Sequence, residues 1–208
     1  MKNKTYYLDI KKMILCDCHL GLNYCTNDMK MYVWKMRQDG IFIFNVLEIF
    51  KRIKIAAKAV ASVRNKEEVI VVSCSNENMA SVLRFSSYTG CKVILGKWVP
   101  GRITNQFCKD FIQPRLVIVA DCSSGSQAIS EASKVGLPVI AFCNTDTLLK
   151  FVDIVIPLNN KNKYSTAFSW WLLTREVLFS RDSLNPMNWK VPLEFFLDKN
   201  TKEYTEAI

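Results

Sequence analysis

Residues 116–142 read LVIVADCSSGSQAISEASKVGLPVIAF. The stretch opens on a continuous apolar run, LVIVA (116–120), and closes on another, PVIAF (138–142). Unbroken β-branched runs of this length, bounded by turn residues, predict strands buried on both faces, which is how parallel sheets read. Between them SQAISEASKV has helical spacing and stops at Gly136, the position where a left-handed residue ends a helix. Strand, turn, helix and strand in that order make a βαβ unit.

Similar apolar runs recur at IFIF (41–44), VIVVS (69–73), KVIL (92–95) and DIVIP (153–157). Helical segments lie between several of them. In 45–63, Val46, Ile49, Phe50, Ile53, Ala57 and Val60 fall on one face; residues 77–90 end at Gly90; residues 165–181 form an apolar helix with Ser165 as a possible N-cap. The expected fold class is α/β: a three-layer α/β/α arrangement around a mostly parallel, doubly wound sheet. Residues 1–182 read as one domain. Residues 183–208 read as an extended arm whose Trp189, Val191, Leu193, Phe195 and Phe196 must cover their apolar surface on this domain or on a partner protein.

The net charge is +9, and residues 41–115 alone carry +7 while residues 116–158 carry −2. So uneven a distribution predicts a basic face suited to a polyanion. Of eight cysteines, Cys74, Cys122 and Cys143 sit at or just after the ends of apolar runs, as small buried hydrophobes do, and the polar N-terminus has no secretory leader pattern. A reducing, cytoplasmic setting and no membrane span are expected.

A few loops have the composition to hold chemistry. Residues 120–129, ADCSSGSQAI, lead a strand through hydroxyls and one glycine into a helix, where N–H groups can cradle a phosphate. The loop carries neither dinucleotide-binding nor P-loop glycine spacing, so the preferred reading is a strand-to-helix turn capped by Ser126 or a neighbour. The alternative is a Rossmann-like enzyme for a nucleotide or phosphosugar, using residues 121–127. Cys16, Cys18, His19 and Cys25 crowd together too closely for the usual zinc spacers, and no metal or other cofactor is assigned. His19 is the single histidine, no nucleophile elbow exists for it to serve, and no catalytic residue is assigned.

Basic and amide side chains form the better constellation. Lys51, Arg52, Lys54 and Lys58 share one helix; Lys97, Arg102, Thr104 and Asn105 surround the turn Pro100–Gly101; Asn159, Asn160, Lys161 and Lys163 follow a strand. Ammoniums, guanidinium forks and amides are the groups that phosphates and RNA edges call for, so all twelve are expected to face RNA.

Several blocks here resemble the small-subunit ribosomal protein SA family, the eukaryotic and archaeal form of bacterial ribosomal protein S-two. Starting from His19-Leu20-Gly21, they are DGIFIFNVLEIF (39–50), PGRITNQF (100–107), PRLVIVADC (114–122), EASKVGLPVIAFCNTD (131–146) and FVDIVIPLNNKNKYSTAFSWWLLTREVL (151–178). The resemblance implies a flavodoxin-like fold without catalysis or a small-molecule substrate. It implies a place near the head–body junction of the small ribosomal subunit, contacts with ribosomal RNA and neighbouring ribosomal proteins, and a part in subunit maturation. The long acidic tail of animal members, the helical hairpin of bacterial ones and an Asp-Pro pair (here Asp121-Cys122) are not found, which points to a trimmed family domain.

Overall fold

A computed structural model describes residues 2–75, 78–181 and 189–197 of the chain. Five strands form one parallel sheet: β3 (Val69–Ser73), β4 (Lys92–Leu95), β5 (Leu116–Val119), β6 (Val139–Cys143) and β7 (Ile154–Pro157), in the order β4-β3-β5-β6-β7. Every residue of β3, β5 and β6 is buried, as unbroken apolar runs require.

IFIF departs from the expectation. Phe42–Phe44 (β2) lies outside the parallel sheet and pairs antiparallel with β1 (Val33–Met36), and its other edge receives residues 19–22. A short apolar run is compatible with either kind of pairing, and here the Asp39–Gly40 turn makes a hairpin the nearer solution.

The helices are α1 (Lys2–Leu15), α2 (Val46–Ser62), α3 (Met79–Thr89), α4 (Ser126–Val135) and α5 (Lys163–Ser180). The connection β3–α3–β4 moves one way along the sheet and β5–α4–β6 moves the other. Right-handed crossovers therefore put α3 and α4 on opposite faces. Helices α2 and α3 both pack on α5, giving that face three helices, with α1 beside α2. Opposite them lie α4 and the segment 96–115, which takes the place of a helix between β4 and β5.

Helix α5 is the centre of the larger layer. Its side chains are buried nearly all round, so it behaves as a core helix rather than an amphipathic one. Asn162, not Ser165, caps it, accepting the Tyr164 N–H at 3.0 Å, whereas Ser165 is buried one turn in. Trp170 packs on the sheet against Phe142 and against Phe85 of α3, with ring centroids 4.7 and 5.1 Å apart. Trp171 points elsewhere, and its indole N–H donates to the Val191 carbonyl at 2.9 Å.

Two arginines fasten this helix. Arg175 donates to both Asp9 oxygens at 3.0 and 2.7 Å, clamping α1, and Asp9 and Arg175 are each at most 9% exposed. Burial works against the guanidinium, and the Asp9 and Glu176 carboxylates together more than offset it. Arg181 donates to the Thr89 and Val60 carbonyls, satisfying the ends of α3 and α2 together.

Asp9→Ala removes the bidentate partner of the buried Arg175 and leaves it the Glu176 carboxylate at 3.0 Å. The expected cost is about 3 kcal/mol, the low end for a broken buried pair because Glu176 remains, read from urea unfolding, with α1 the first element to lose amide-exchange protection.

Candidate nucleic-acid interface

The loop that looked most like a phosphate cradle is closed by its own first residue. The Asp121 carboxylate accepts the Ser123 N–H at 3.2 Å, the Ser124 N–H at 3.4 Å and the Asn160 side-chain amide at 2.7 Å. Those backbone donors are the ones a phosphate would need, and an incoming anion would meet a carboxylate there. Gly125 follows at close quarters: a Cβ on it would stand 2.3 Å from Val119 Cγ1 and 3.0 Å from the Asp121 carbonyl. The helix α4 then starts without a side-chain cap, so neither Ser126 nor a neighbouring serine has the capping role expected of it.

Asn160 links this turn to the next strand end. It is buried, and its oxygen accepts from the Asn144 amide at 3.2 Å, while the Asn144 oxygen accepts the Thr145 N–H at 2.8 Å. Asp121, Asn144 and Asn160 thus join the ends of β5, β6 and β7. Asn160 belongs to this interior network rather than to a surface that RNA can reach. Its neighbours are arranged differently: Asn159 accepts the Lys161 N–H and donates to the Asp17 carbonyl, and both Lys161 and Lys163 are exposed.

A cleft of about 390 Å³ lies between α4 and residues 146–151, lined by Cys122, Ser126, Ile129, Asp146 and Phe151 among others. It is displaced from the β3/β5 switch point, where ligands of doubly wound sheets bind. Asp153 accepts the Val139 N–H at 2.8 Å, a structural role at the start of β6.

Around His19 the side chains diverge. Cys18 donates to the Ser165 carbonyl on α5, and Cys25 to the Thr26 carbonyl. Burial raises the thiol pKa values of Cys16 and Cys25 and pushes Cys18 up to about 12, and burial lowers that of His19. Among the described residues no three His, Cys, Asp or Glu side chains gather at metal-holding distance.

The basic positions divide into two groups. Lys51, Lys54 and Lys58 are exposed along one stripe of α2, with Lys51 2.7 Å from Glu48 and Lys54 over the Phe50 ring. Arg52 turns away from them and stacks on Tyr32, its guanidinium 5.1 Å from the ring centroid. Helix α2 packs on β7 and α5, so this stripe belongs to the same helical layer as α5, which begins at Lys163. The second group is on segment 96–115, on the opposite face. There Lys97, Thr104 and Asn105 are exposed, whereas Arg102 is largely covered and paired with Asp110 at 2.9 Å.

Residues that sequence reasoning passed over hold that second group in place. Glu131, buried on α4, accepts the Gly101 N–H at 3.1 Å and the Gln127 amide at 3.0 Å. Its signal was available: an acid at the edge of the apolar face of an amphipathic helix.

The arm residues lie on the chain's own core. Phe196 is 1% exposed and stacks on Tyr88, its carbonyl accepting the Ser81 hydroxyl; Trp189 and Phe195 also meet Tyr88, and Val191 and Leu193 are packed against the core. Residues 183–188 and 198–208 of the expected arm lie outside the described residues.

Fold and site together define a flavodoxin-like α/β/α scaffold whose loop after β5 is closed by Asp121, with basic groups on two faces. A family model, ribosomal protein S2, matches residues 13–112 and 108–178. The chain is 38% identical over 200 residues to the small ribosomal subunit protein uS2 of Chlamydomonas reinhardtii, covering 96% of this chain and 72% of that protein. It is 44% identical to uS2 of Brugia malayi over 85% of this chain and 58% of the relative, and 38% identical to uS2 of Aspergillus niger over 96% and 68%. The chain belongs to the ribosomal protein S2 family.

Replacing Asn160 by Ala removes the shortest of the three bonds to the Asp121 carboxylate and leaves the Asn144 amide without its partner in the interior. A loss of about 1–3 kcal/mol is expected in thermal or urea unfolding. Cys18 gives a pH-dependent expectation. Its pKa rises from 9.0 unfolded to about 12 folded, so the unfolded chain loses the proton first. Stability from this thiol is full below about pH 9 and falls as pH rises toward 12; Cys18→Ala should flatten that slope in alkaline unfolding.

Proposed function

We propose that this chain is a structural, non-catalytic component of the small ribosomal subunit, binding ribosomal RNA and neighbouring ribosomal proteins near the head–body junction in the cytoplasm. The observation that carries the reading is the exposed stripe Lys51, Lys54 and Lys58 on a scaffold whose loop after β5 is closed by Asp121. Lysines at successive turns of one helix present charges along a line, which suits a row of backbone phosphates better than one small anion. The names of the relatives, small ribosomal subunit proteins, support the same assignment. Among the described residues no helix is long and apolar enough to cross a membrane.

In this reading Lys161 and Lys163 extend the stripe, and Lys97, Thr104 and Asn105 meet a second RNA element across the molecule. Arg52 and Asn160 serve the fold. Of the arm's apolar groups Phe196 is buried and the other four are half-buried against the core, so a neighbouring protein meets their outer edges together with the exposed Lys190, Pro192 and Glu194.

The test is the triple substitution of Lys51, Lys54 and Lys58 by Ala. Binding of the full chain to small-subunit RNA should weaken, and the dependence of log K on log salt should become shallower by roughly 0.9 for each phosphate that is no longer neutralised. In gradient sedimentation the variant should shift from small subunits toward the free pool. An unchanged salt slope with normal incorporation would remove α2 from the RNA-binding surface.

A further inference from the structure

The segment between β4 and β5 displays an aromatic ring for which the fold has no use. Phe107 is 98% exposed, while the next aromatic of the segment, Phe111, is partly covered. A fixed turn holds it there. The Asn105 side chain accepts the Phe107 N–H at 3.0 Å, the Asn105 N–H donates to the Gly101 carbonyl at 2.8 Å, and the Cys108 N–H donates to the Asn105 carbonyl at 3.1 Å. Gly101 is in turn tied to Glu131 on α4. The ring is thus held outward by bonds on both sides of the turn.

Its surroundings decide what it meets. From Lys97 to Asp110 the segment holds three cations and one acid, and since Arg102 is paired with Asp110 the charges left exposed beside the ring are Lys97 and Lys109. The residues just before the ring, Thr104, Asn105 and Gln106, are exposed and polar. A ring anchoring a protein pocket would be expected to have apolar neighbours continuing its patch, whereas here the segment's other exposed large apolar side chain, Val99, lies eight residues earlier in the chain. An aromatic platform among hydroxyls, amides and ammoniums is instead the composition that recognises unpaired nucleotides: the ring stacks on a base, amides reach its edges and lysines meet the phosphates.

We infer that Phe107 is a stacking platform for a single unpaired nucleobase, with Lys97 and Lys109 flanking it as phosphate contacts. This inference rests on the RNA-binding reading above and adds to it a substrate class, single-stranded RNA, at a second face.

The experiment measures anisotropy of a fluorescein-labelled oligo(U) and of a labelled RNA duplex of equal length, with the full chain and its variants. Phe107→Ala should weaken oligo(U) binding by roughly 5- to 150-fold, the range of one base–aromatic stack, and leave duplex binding and the melting temperature unchanged. Phe107→Trp should restore oligo(U) binding. Equal affinity of Phe107→Ala for oligo(U), or equal losses on both probes, overturns the inference. If the triple α2 variant weakens RNA binding while Phe107→Ala changes nothing, the RNA reading stands and the stacking platform falls. If the parent chain binds neither probe, both fall. Loss of a neighbouring ribosomal protein from the Phe107→Ala particle, with oligo(U) binding intact, makes the ring a protein-docking group and overturns the inference as well.

Discussion

A carboxylate removed from water at the end of β5 governs much of this molecule. Asp121 is 8% exposed and is satisfied by two backbone N–H groups of its own turn and by the amide of Asn160. A buried charge demands such partners, because an unsatisfied one costs several kcal/mol. Meeting that demand has two consequences. The loop folds inward around its own anion instead of opening to a foreign one, and the end of β5 becomes tied through Asn160 and Asn144 to the ends of β7 and β6. In enzymes built on such sheets this edge is where loops open around a ligand. Here the β5, β6 and β7 ends of that edge are joined by polar bonds.

The opposite constraint comes from α5. A helix buried nearly all round must be covered on every side, and the chain supplies covers from distant parts of the sequence. Helix α1 is held by the Asp9–Arg175 pair, α2 and α3 by packing and by the Arg181 bonds, and the segment 189–197 by Trp171, Tyr88 and Ser81. Each cover combines apolar contact with a directional polar bond. Burial area alone is non-directional, so the polar bonds are what fix the angle and register of each covering element.

These two constraints explain which parts of the structure were legible in the sequence. The β-branched runs at 69–73, 116–120 and 138–142 can be satisfied only by burial on both faces, and they form the centre of the parallel sheet. IFIF is the same kind of run, but its placement is decided by a hairpin turn and by pairing with residues 19–22, neither of which periodicity encodes. Amides and guanidiniums were harder still. Asn159 and Asn160 are adjacent and chemically identical, yet Asn160 completes the Asp121 network and Asn159 serves its own turn. Arg52 lies among lysines in sequence, but a side chain one residue along a helix points about 100° away, toward Tyr32. The arm showed its apolar content plainly, whereas the cover it found, Tyr88 and Trp171, is set by tertiary packing.

The division of the basic groups bears on how such a scaffold can work. The stripe on α2 and the segment around Pro100–Gly101 stand on opposite faces of a three-layer domain, separated by the sheet and both helical layers. One short RNA helix cannot lie along both faces at once. On the proposed reading, the chain therefore bridges two RNA elements, and its internal stiffness matters as much as its charge. A bridge transmits geometry only if the two binding surfaces keep their relation while either one is loaded. That requirement favours polar locks at the sheet end and a core helix fastened on every side over the opening loops that catalysis needs. On that reading the inward turn of Asp121 serves the spacer, because it ties the ends of β5, β6 and β7 to one another.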